Sequence, residues 1–414
     1  MNGFEFRPTS PATRPIFTTC DRRRAGIPFV TETTLANPVP LAATATTASV
    51  GRAPEWGRMP QLDGLRTLAV AGVMCAHWWN PYPLGFPAGS GVLLFFVISG
   101  FLITGILLDC WVPAEGPQAR WHGLRNFYAR RFLRIFPLYY ATLAGAALLN
   151  VEPVRQTILW HISYLTNFYL FDHNAWQGRI SHFWSLAVEE QFYLLWPTLV
   201  LFLSRRVLSR TILALVLLAP VFRVVVTLAC PGRTLVPVLT PSCFDALGIG
   251  ALLAYTIREP DGLTRGLKVA GWLLLAGVPG FLITWICHRR GICAAVMGAI
   301  FPTFLAMIYG WLVLNAAKGF RGVGRILAWK PVAYLGQISY GLYVFHYFAP
   351  WFVYWLLAHL RFSEAQIERV TNQPVLNLIA MTLLTVGGAA LSWHLYEKPI
   401  NRLKDRFAYR EKPA

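Results

Sequence analysis

The sequence predicts an all-α protein, a polytopic transmembrane helical bundle of about ten spans with both termini in the cytoplasm. Three observations predict it. Of 414 residues, 55% are hydrophobic and only 14% charged, with a mean hydropathy of +0.46, too little polar surface for a soluble chain of this size. The apolar residues gather into runs of roughly 20, the length that crosses a ~30 Å hydrocarbon core as a helix. The basic residues alternate between the loops those runs define, in the manner of the positive-inside rule.

Ten spans are expected at 62–80, 90–109, 134–150, 182–203, 211–228, 241–257, 267–287, 296–316, 333–360 and 375–396. The segment 157–171 is too short and polar for a span and reads as a re-entrant or interfacial helix. With a cytoplasmic N-terminus, 28 of the 37 Lys and Arg fall on the inside, counting Arg134 and Lys268 at the inner ends of their spans, and 7 on the outside, leaving Arg66 and Arg223 deeper within spans. The net charge of +18 is therefore a matter of topology, and no nucleic-acid partner is expected. The lipid bilayer is the expected partner, in the inner (plasma) membrane.

Residues 1–58, rich in Thr, Ala, Pro and Arg without an apolar run, are expected to be a disordered cytoplasmic tail. Residues 59–402 form the membrane domain and 403–414 a short basic cytoplasmic tail. No soluble catalytic domain is expected after the last span, so chemistry is expected inside the bundle or at its mouths. The seven cysteines have no metal spacing, and no metal is expected. Cys230, Cys243, Cys287 and Cys293 fall near outer span ends, where either a disulfide or free thiols are compatible with the sequence.

Polar residues inside spans locate the chemistry, because an ionisable group at mid-membrane costs at least ~2–3 kcal/mol. In the first span, Arg66 and His77 are eleven residues apart. That is about 1100° of helix, within about 20° of three full turns, so both project from one face. If Arg66 sits at the cytoplasmic interface, His77 reaches about halfway through the core. In the segment RNFYARRFLRIFPLYY, Arg131 and Arg134 share a face at i and i+3. They are either topology anchors or a phosphate site at the cytoplasmic mouth, for which arginine forks are suited. In HFWSLAVEEQFYLLWP, His182, Ser185, Glu189 and Tyr193 form a polar stripe, while Glu190 points about 100° away from Glu189. Asp245 and His346 are further polar groups within spans, each a candidate pore or acceptor-binding residue along with His182, Ser185 and Tyr193.

Five blocks in order, LDGLRTLAVAGVMCAHWW, GVLLFFVISGFLITGILL, FYARRFLRIFPLYY, FWSLAVEEQFYLLWP and ISYGLYVFHY, resemble the acyltransferase-3 family of integral membrane O-acyltransferases, from about Gln61 to Arg402. The resemblance implies ten spans and transfer of an acetyl or other short acyl group from acyl-CoA, with acetyl-CoA the usual donor and no bound cofactor. The acceptor it implies is a hydroxyl of a cell-envelope polysaccharide, glycolipid or secreted glycosylated small molecule. The family's basic residue–ten–histidine motif falls on Arg66 and His77, its RxxR motif on Arg131 and Arg134, and its acidic position on Glu189. Leu93 departs from the pattern, standing where relatives commonly have an acidic or polar residue.

The expected division of labour follows. Arg131, Arg134 and Arg66 would hold acyl-CoA, and His77 would act as base, with an acyl-histidine intermediate as the other route. Glu189 would orient His77 or bind the acceptor. A transporter or flippase for a glycolipid or acylated product is the alternative from another class; the oligomeric state is not readable.

Overall fold

The structure, a computed structural model, describes residues 59–78, 90–111, 116–371 and 373–409. The expectation of a disordered tail at 1–58 lies outside the described residues. The described chain is all helical. Helix α1 spans Pro60–Trp78, α2 Ser90–Trp111, α3 Gly116–Leu148, α4 Ile158–Ile162, α5 Thr166–His173, α6 Phe183–Phe202 and α7 Arg205–Ala229. They are followed by α8 Phe244–Thr256, α9 Gly262–Arg289, α10 Ala294–Lys318, α11 Val323–Leu327 and α12 Lys330–Gln337. The last group is α13 Ser339–Phe345, α14 Ala349–His359, α15 Glu364–Thr371, α16 Pro374–Ser392 and α17 Lys398–Arg402.

Among the described residues, five helical stretches are long and apolar enough to cross a membrane: α2, α7, α9, α10 and the run Pro374–Arg406. Large apolar side chains stand outward on them, among them Leu217, Leu228, Trp272, Ile283 and Leu383. Exposed apolar area on that scale is what a lipid-facing helix carries.

Several expected elements differ in detail. The helix containing Arg131 and Arg134 begins well before 134, since α3 runs for 33 residues. The segment 157–171 is two short helices, α4 and α5, separated by Tyr164 at a φ of 54°. The single span expected at 333–360 is three helices, and Pro350 supplies a reason for the break between α13 and α14. Proline has no N–H to give the carbonyl four residues back, so the His346 carbonyl is released from the helix ladder. It accepts instead from the Ala349 N–H, three residues on, at 3.3 Å and from the Trp78 indole Nε1 at 3.1 Å. The thiols Cys230, Cys243, Cys287 and Cys293 are all free, which removes the disulfide reading.

The helices pack as α1 on α2 and α12, α2 on α8, α7 on α8, and α9 on α10. The α2–α8 contact is backbone to backbone. A Cβ on Gly100 would meet the Leu247 carbonyl, and one on Gly250 would meet that of Val97, the small-residue device that lets membrane helices approach closely. Polar ties fix the bundle elsewhere. Arg258 grips Asp109 with both prongs, Nε and Nη2 each 2.7 Å from a carboxylate oxygen. Trp196 Nε1 donates to Thr104 at 2.8 Å.

The basic C-terminal segment is docked. Arg130 donates to the Lys404 carbonyl at 2.9 Å, and Asn126 to that of Ala408 at 2.7 Å.

Candidate active site

The polar side chains of the bundle gather around two abutting cavities. The smaller, about 110 Å³, takes Arg66 from α1, Ser99 from α2, Arg131 and Arg134 from α3, and Ser185, Glu189, Glu190 and Tyr193 from α6. The larger, about 1070 Å³, takes His77, His182, Trp176, Trp184 and Tyr347, and runs out to segment 231–238 and the start of α10. Val92, Phe96 and Tyr343 line both. A wall of a few side chains therefore separates a charged pocket from a roomy aromatic one.

Helix α1 connects them. Arg66 opens into the small cavity and His77 into the large one, about 16.5 Å apart at 1.5 Å per residue. Helix α6 does the same: His182 faces the large cavity, while Ser185, Glu189 and Tyr193 face the small one. The polar stripe expected on that helix is present. Glu190 departs from expectation, since it lines the small cavity beside Glu189. A cavity bounded by five helices, α1, α2, α3, α6 and α13, subtends a wider arc of α6 than the narrow stripe read from periodicity, and 100° of rotation does not take Glu190 out of it. Its Oε1 is buried without a hydrogen-bond partner.

The arginines of the small cavity are held by aromatic faces. The Arg131 guanidinium lies 5.2 Å above Tyr193 and 5.7 Å above Phe127, and that of Arg134 lies 5.9 Å above Trp393. Neither makes an ion pair or hydrogen bond among the described residues, so their N–H forks are available to an anion. Arg66 is partly committed, its Nη1 2.9 Å from Asp63 Oδ1. Trp393 belongs to a π-helical turn, Trp393–Glu397, at the end of α16; such turns often mark functional positions. The buried Glu397 accepts from Ser392 at 3.0 Å. Tyr193, under Arg131, hydrogen-bonds to Ser99, and Glu189 lines the same cavity.

At the wall of the large cavity His77 and His182 meet the fully buried His346. His77 Nδ1 lies 2.9 Å from His346 Nε2, the rings stacked at 5.0 Å between centroids. His182 stands edge-on to His346 at 5.0 Å and stacks on Tyr347 at 5.2 Å. Its Nε2 donates to the Val344 carbonyl at 3.1 Å, while its Nδ1 is buried without a partner. Tyr343 Oη lies 2.5 Å from Ser185 Oγ and donates to the His182 carbonyl at 2.8 Å.

This geometry corrects the expectation that Glu189 orients His77. Seven residues beyond His182, Glu189 sits about 10 Å further along α6 in the other cavity, and His346 holds the position against His77. Asp245 is likewise withdrawn from the cavities. Fully buried, it accepts from Arg223 Nη2 and from Thr303 Oγ1, each at 2.7 Å. Arg223 in turn donates to the carbonyls of Ala299, at 2.6 Å, and Ser242. Asp245 and Arg223 thus lock α7, α8 and α10 together.

Sequence reasoning did not single out Ser99, Tyr343 or Trp393, and it set Glu190 aside on another face. The first two had a signal: Ser99 is a lone polar residue in an apolar run, and Tyr343 lies at i−3 from His346, one helical face. Leu93 places an apolar side chain on the wall of the large cavity.

An all-α bundle with membrane-crossing helices and two abutting polar cavities, one charged and one holding a histidine cluster, has the plan of an integral membrane group-transfer enzyme. The family comparison makes that specific: the family model described as an acyltransferase domain matches residues 59–394, and the chain belongs to the acyltransferase-3 family. It is similar to YrhL of Bacillus subtilis, 28% identical over 83% of this chain and 55% of the relative. It is also similar to the peptidoglycan O-acetyltransferase OatA of Listeria monocytogenes, 27% identical over 83% and 56%. The O-acetyltransferase OatA of Staphylococcus aureus is 27% identical over 83% of this chain and 57% of the relative. The chain spans about half the length of the curated relatives it matches. No solved structure matches significantly.

Proposed function

We propose that this chain is a membrane O-acyltransferase that moves an acetyl group from cytoplasmic acetyl-CoA to a sugar hydroxyl of a cell-envelope glycan. The observation that carries the reading is that α1 places Arg66 in a charged cavity and His77 in a large one that abuts it. A donor held by its phosphates on one side and an acceptor entering from the other would meet beside His77. The acceptor class is drawn from the relatives, among them one named for peptidoglycan O-acetylation.

Residues 59–402 are the catalytic membrane domain in this reading, with ten crossings in the inner membrane and both termini cytoplasmic. The ninth crossing is built from the broken helices α12 to α14, and residues 1–58 and 403–414 are cytoplasmic segments. Acetyl-CoA docks with its phosphates on Arg131 and Arg134, whose forks have no protein partner, and Arg66 completes the positive rim. The pantetheine arm then carries the thioester past the wall of Val92, Phe96 and Tyr343. The sugar occupies the larger cavity, where Trp176, Trp184 and Tyr347 offer faces for a sugar ring.

His77 takes the hydroxyl proton as the oxygen attacks the thioester carbonyl. The C–O bond forms, the C–S bond breaks with its electron pair going to sulfur, and the proton on His77 passes to the departing thiolate. His182 Nδ1, an accepting lone pair with no protein partner, holds a substrate N–H or O–H. Glu189 and Glu190 bind groups passing through the charged cavity.

The test is transfer of label from acetyl-CoA in membranes containing the full chain. Label should reach a glycan fraction with the wild type and not with His77→Ala at equal membrane content. Label that never leaves acetyl-CoA, or that transfers equally well without His77, overturns the reading.

A further inference from the structure

His77, in α1, and His346, at the C-cap of α13, are 269 residues apart and touch nitrogen to nitrogen, Nδ1 to Nε2, at 2.9 Å. Two neutral imidazoles so joined need one N–H and one lone pair. The choice is made one atom further on. His346 Nδ1 lies 2.5 Å from the Tyr343 carbonyl oxygen. A carbonyl only accepts, so His346 Nδ1 carries that ring's proton and its Nε2 is a lone pair. His77 Nδ1 is therefore the N–H, and the lone pair of His77 is on Nε2.

From this chain of bonds we infer that His346 is a positioning residue for acyl transfer: it locks His77 as the Nδ1–H tautomer and leaves Nε2 as the nitrogen that takes the hydroxyl proton. The inference rests on the reading of His77 as the base. The free imidazole of histidine favours the opposite tautomer, so without its partner His77 would present an N–H where the reaction needs a lone pair.

The rest of the cluster holds this bond in place. The His346 carbonyl, freed by Pro350, takes the Trp78 indole N–H at 3.1 Å. The ring is stacked on His77 and backed by His182 and Tyr343. When His77 gains the hydroxyl proton at Nε2, its Nδ1–H continues to donate to His346. In this role a neutral imidazole stands where serine hydrolases place a buried carboxylate. It sets the tautomer without adding a permanent charge to the middle of the membrane, where a charge is expensive.

The experiment has a spectroscopic arm and a kinetic arm, both on the full chain in detergent. With histidine labelled by ¹⁵N in the ring, the two neutral tautomers give distinct nitrogen shifts, and loss of a signal in His77→Asn identifies His77. The wild type should show His77 protonated at Nδ1, and His346→Leu should lose that preference.

In acetyl transfer, His346→Leu should lower kcat at least tenfold with the KM for acetyl-CoA changed less than twofold. His346→Gln, whose amide oxygen can accept from His77 Nδ1, should recover part of the loss. A wild-type His77 protonated at Nε2 overturns the inference, and so does a His346→Leu enzyme with unchanged kcat. The wild-type spectrum decides even if neither variant folds. A wild type with the Nδ1–H tautomer that transfers nothing overturns the catalytic reading of His77 and the role built on it, a different failure from the wrong tautomer.

Discussion

Arg66 and His77 share one face of α1 and open into different cavities. One helix thereby links the charged pocket to the histidine cluster, and a wall that includes Val92, Phe96 and Tyr343 is what a transferred group has to pass. The predictions below probe the two sides of that wall and the lock that keeps them in register.

Removing the base should be the most damaging change on the large-cavity side. Positioned proton transfer contributes about 10²–10⁴-fold to a rate, so His77→Ala should lose at least about 100-fold in acetyl transfer. Its amount in the membrane should stay unchanged. Initial rates normalised to protein measured by immunoblot check this.

The arginines of the small cavity should act on donor binding. Each charge-assisted hydrogen bond contributes about 1.5–3 kcal/mol, so Arg131→Ala or Arg134→Ala should raise the KM for acetyl-CoA about tenfold or more. The loss of kcat should be smaller. Lysine replacements should recover only part, since the fork geometry is lost. A KM series across the four variants decides, and unchanged values would return both residues to a topological role.

The two glutamates should both matter. Glu189 lines the small cavity with Ser99 and Tyr193, and Glu189→Gln should reduce transfer about 100-fold or more. Glu190 lines the same cavity with a buried oxygen that has no protein partner, and Glu190→Gln should cost about tenfold. Side-by-side rates measure the order. A Glu190→Gln enzyme at full rate would show that this carboxylate serves the fold alone.

Breaking the Arg223–Asp245 lock should cost stability before chemistry. Removing one member of a buried pair strands the other and typically costs about 3–5 kcal/mol. Asp245→Ala should therefore lower the Tm in detergent by several degrees. The double change Arg223→Met with Asp245→Leu should be milder than either single change. Thermal unfolding followed by intrinsic tryptophan fluorescence tests it.

The close approach of α2 and α8 should tolerate no side chain. A Cβ on Gly100 or Gly250 would run into a neighbouring backbone carbonyl, and overpacking of this kind costs about 1–3 kcal/mol. Gly100→Ala should lower the folded yield, and Gly100→Leu should abolish it, as read by size-exclusion profiles.

Much of this molecule is legible in its residues because helices are local. Composition and apolar runs give an all-α membrane bundle. A 100° period places Arg66 with His77, Arg131 with Arg134, and His182 with Ser185, Glu189 and Tyr193; Arg131 and Arg134 line one cavity, and the other two sets are divided between the two abutting cavities. Periodicity assigns a side chain to a face of its own helix, and it is silent on what that face meets. Three outcomes therefore waited on the packing. Glu190 returned to the cavity because four helices surround a wide arc of α6. Asp245 went to Arg223 because α7 and α8 are neighbours. His346 reached His77 across 269 residues because Pro350 ends the helix ladder there and α13 packs on α1. The sequence by itself determined which side chains share a face of one helix, through the fixed geometry of hydrogen-bonded turns. Only the tertiary structure decided which inward groups touch, since a contact between distant helices depends on how all of them pack at once.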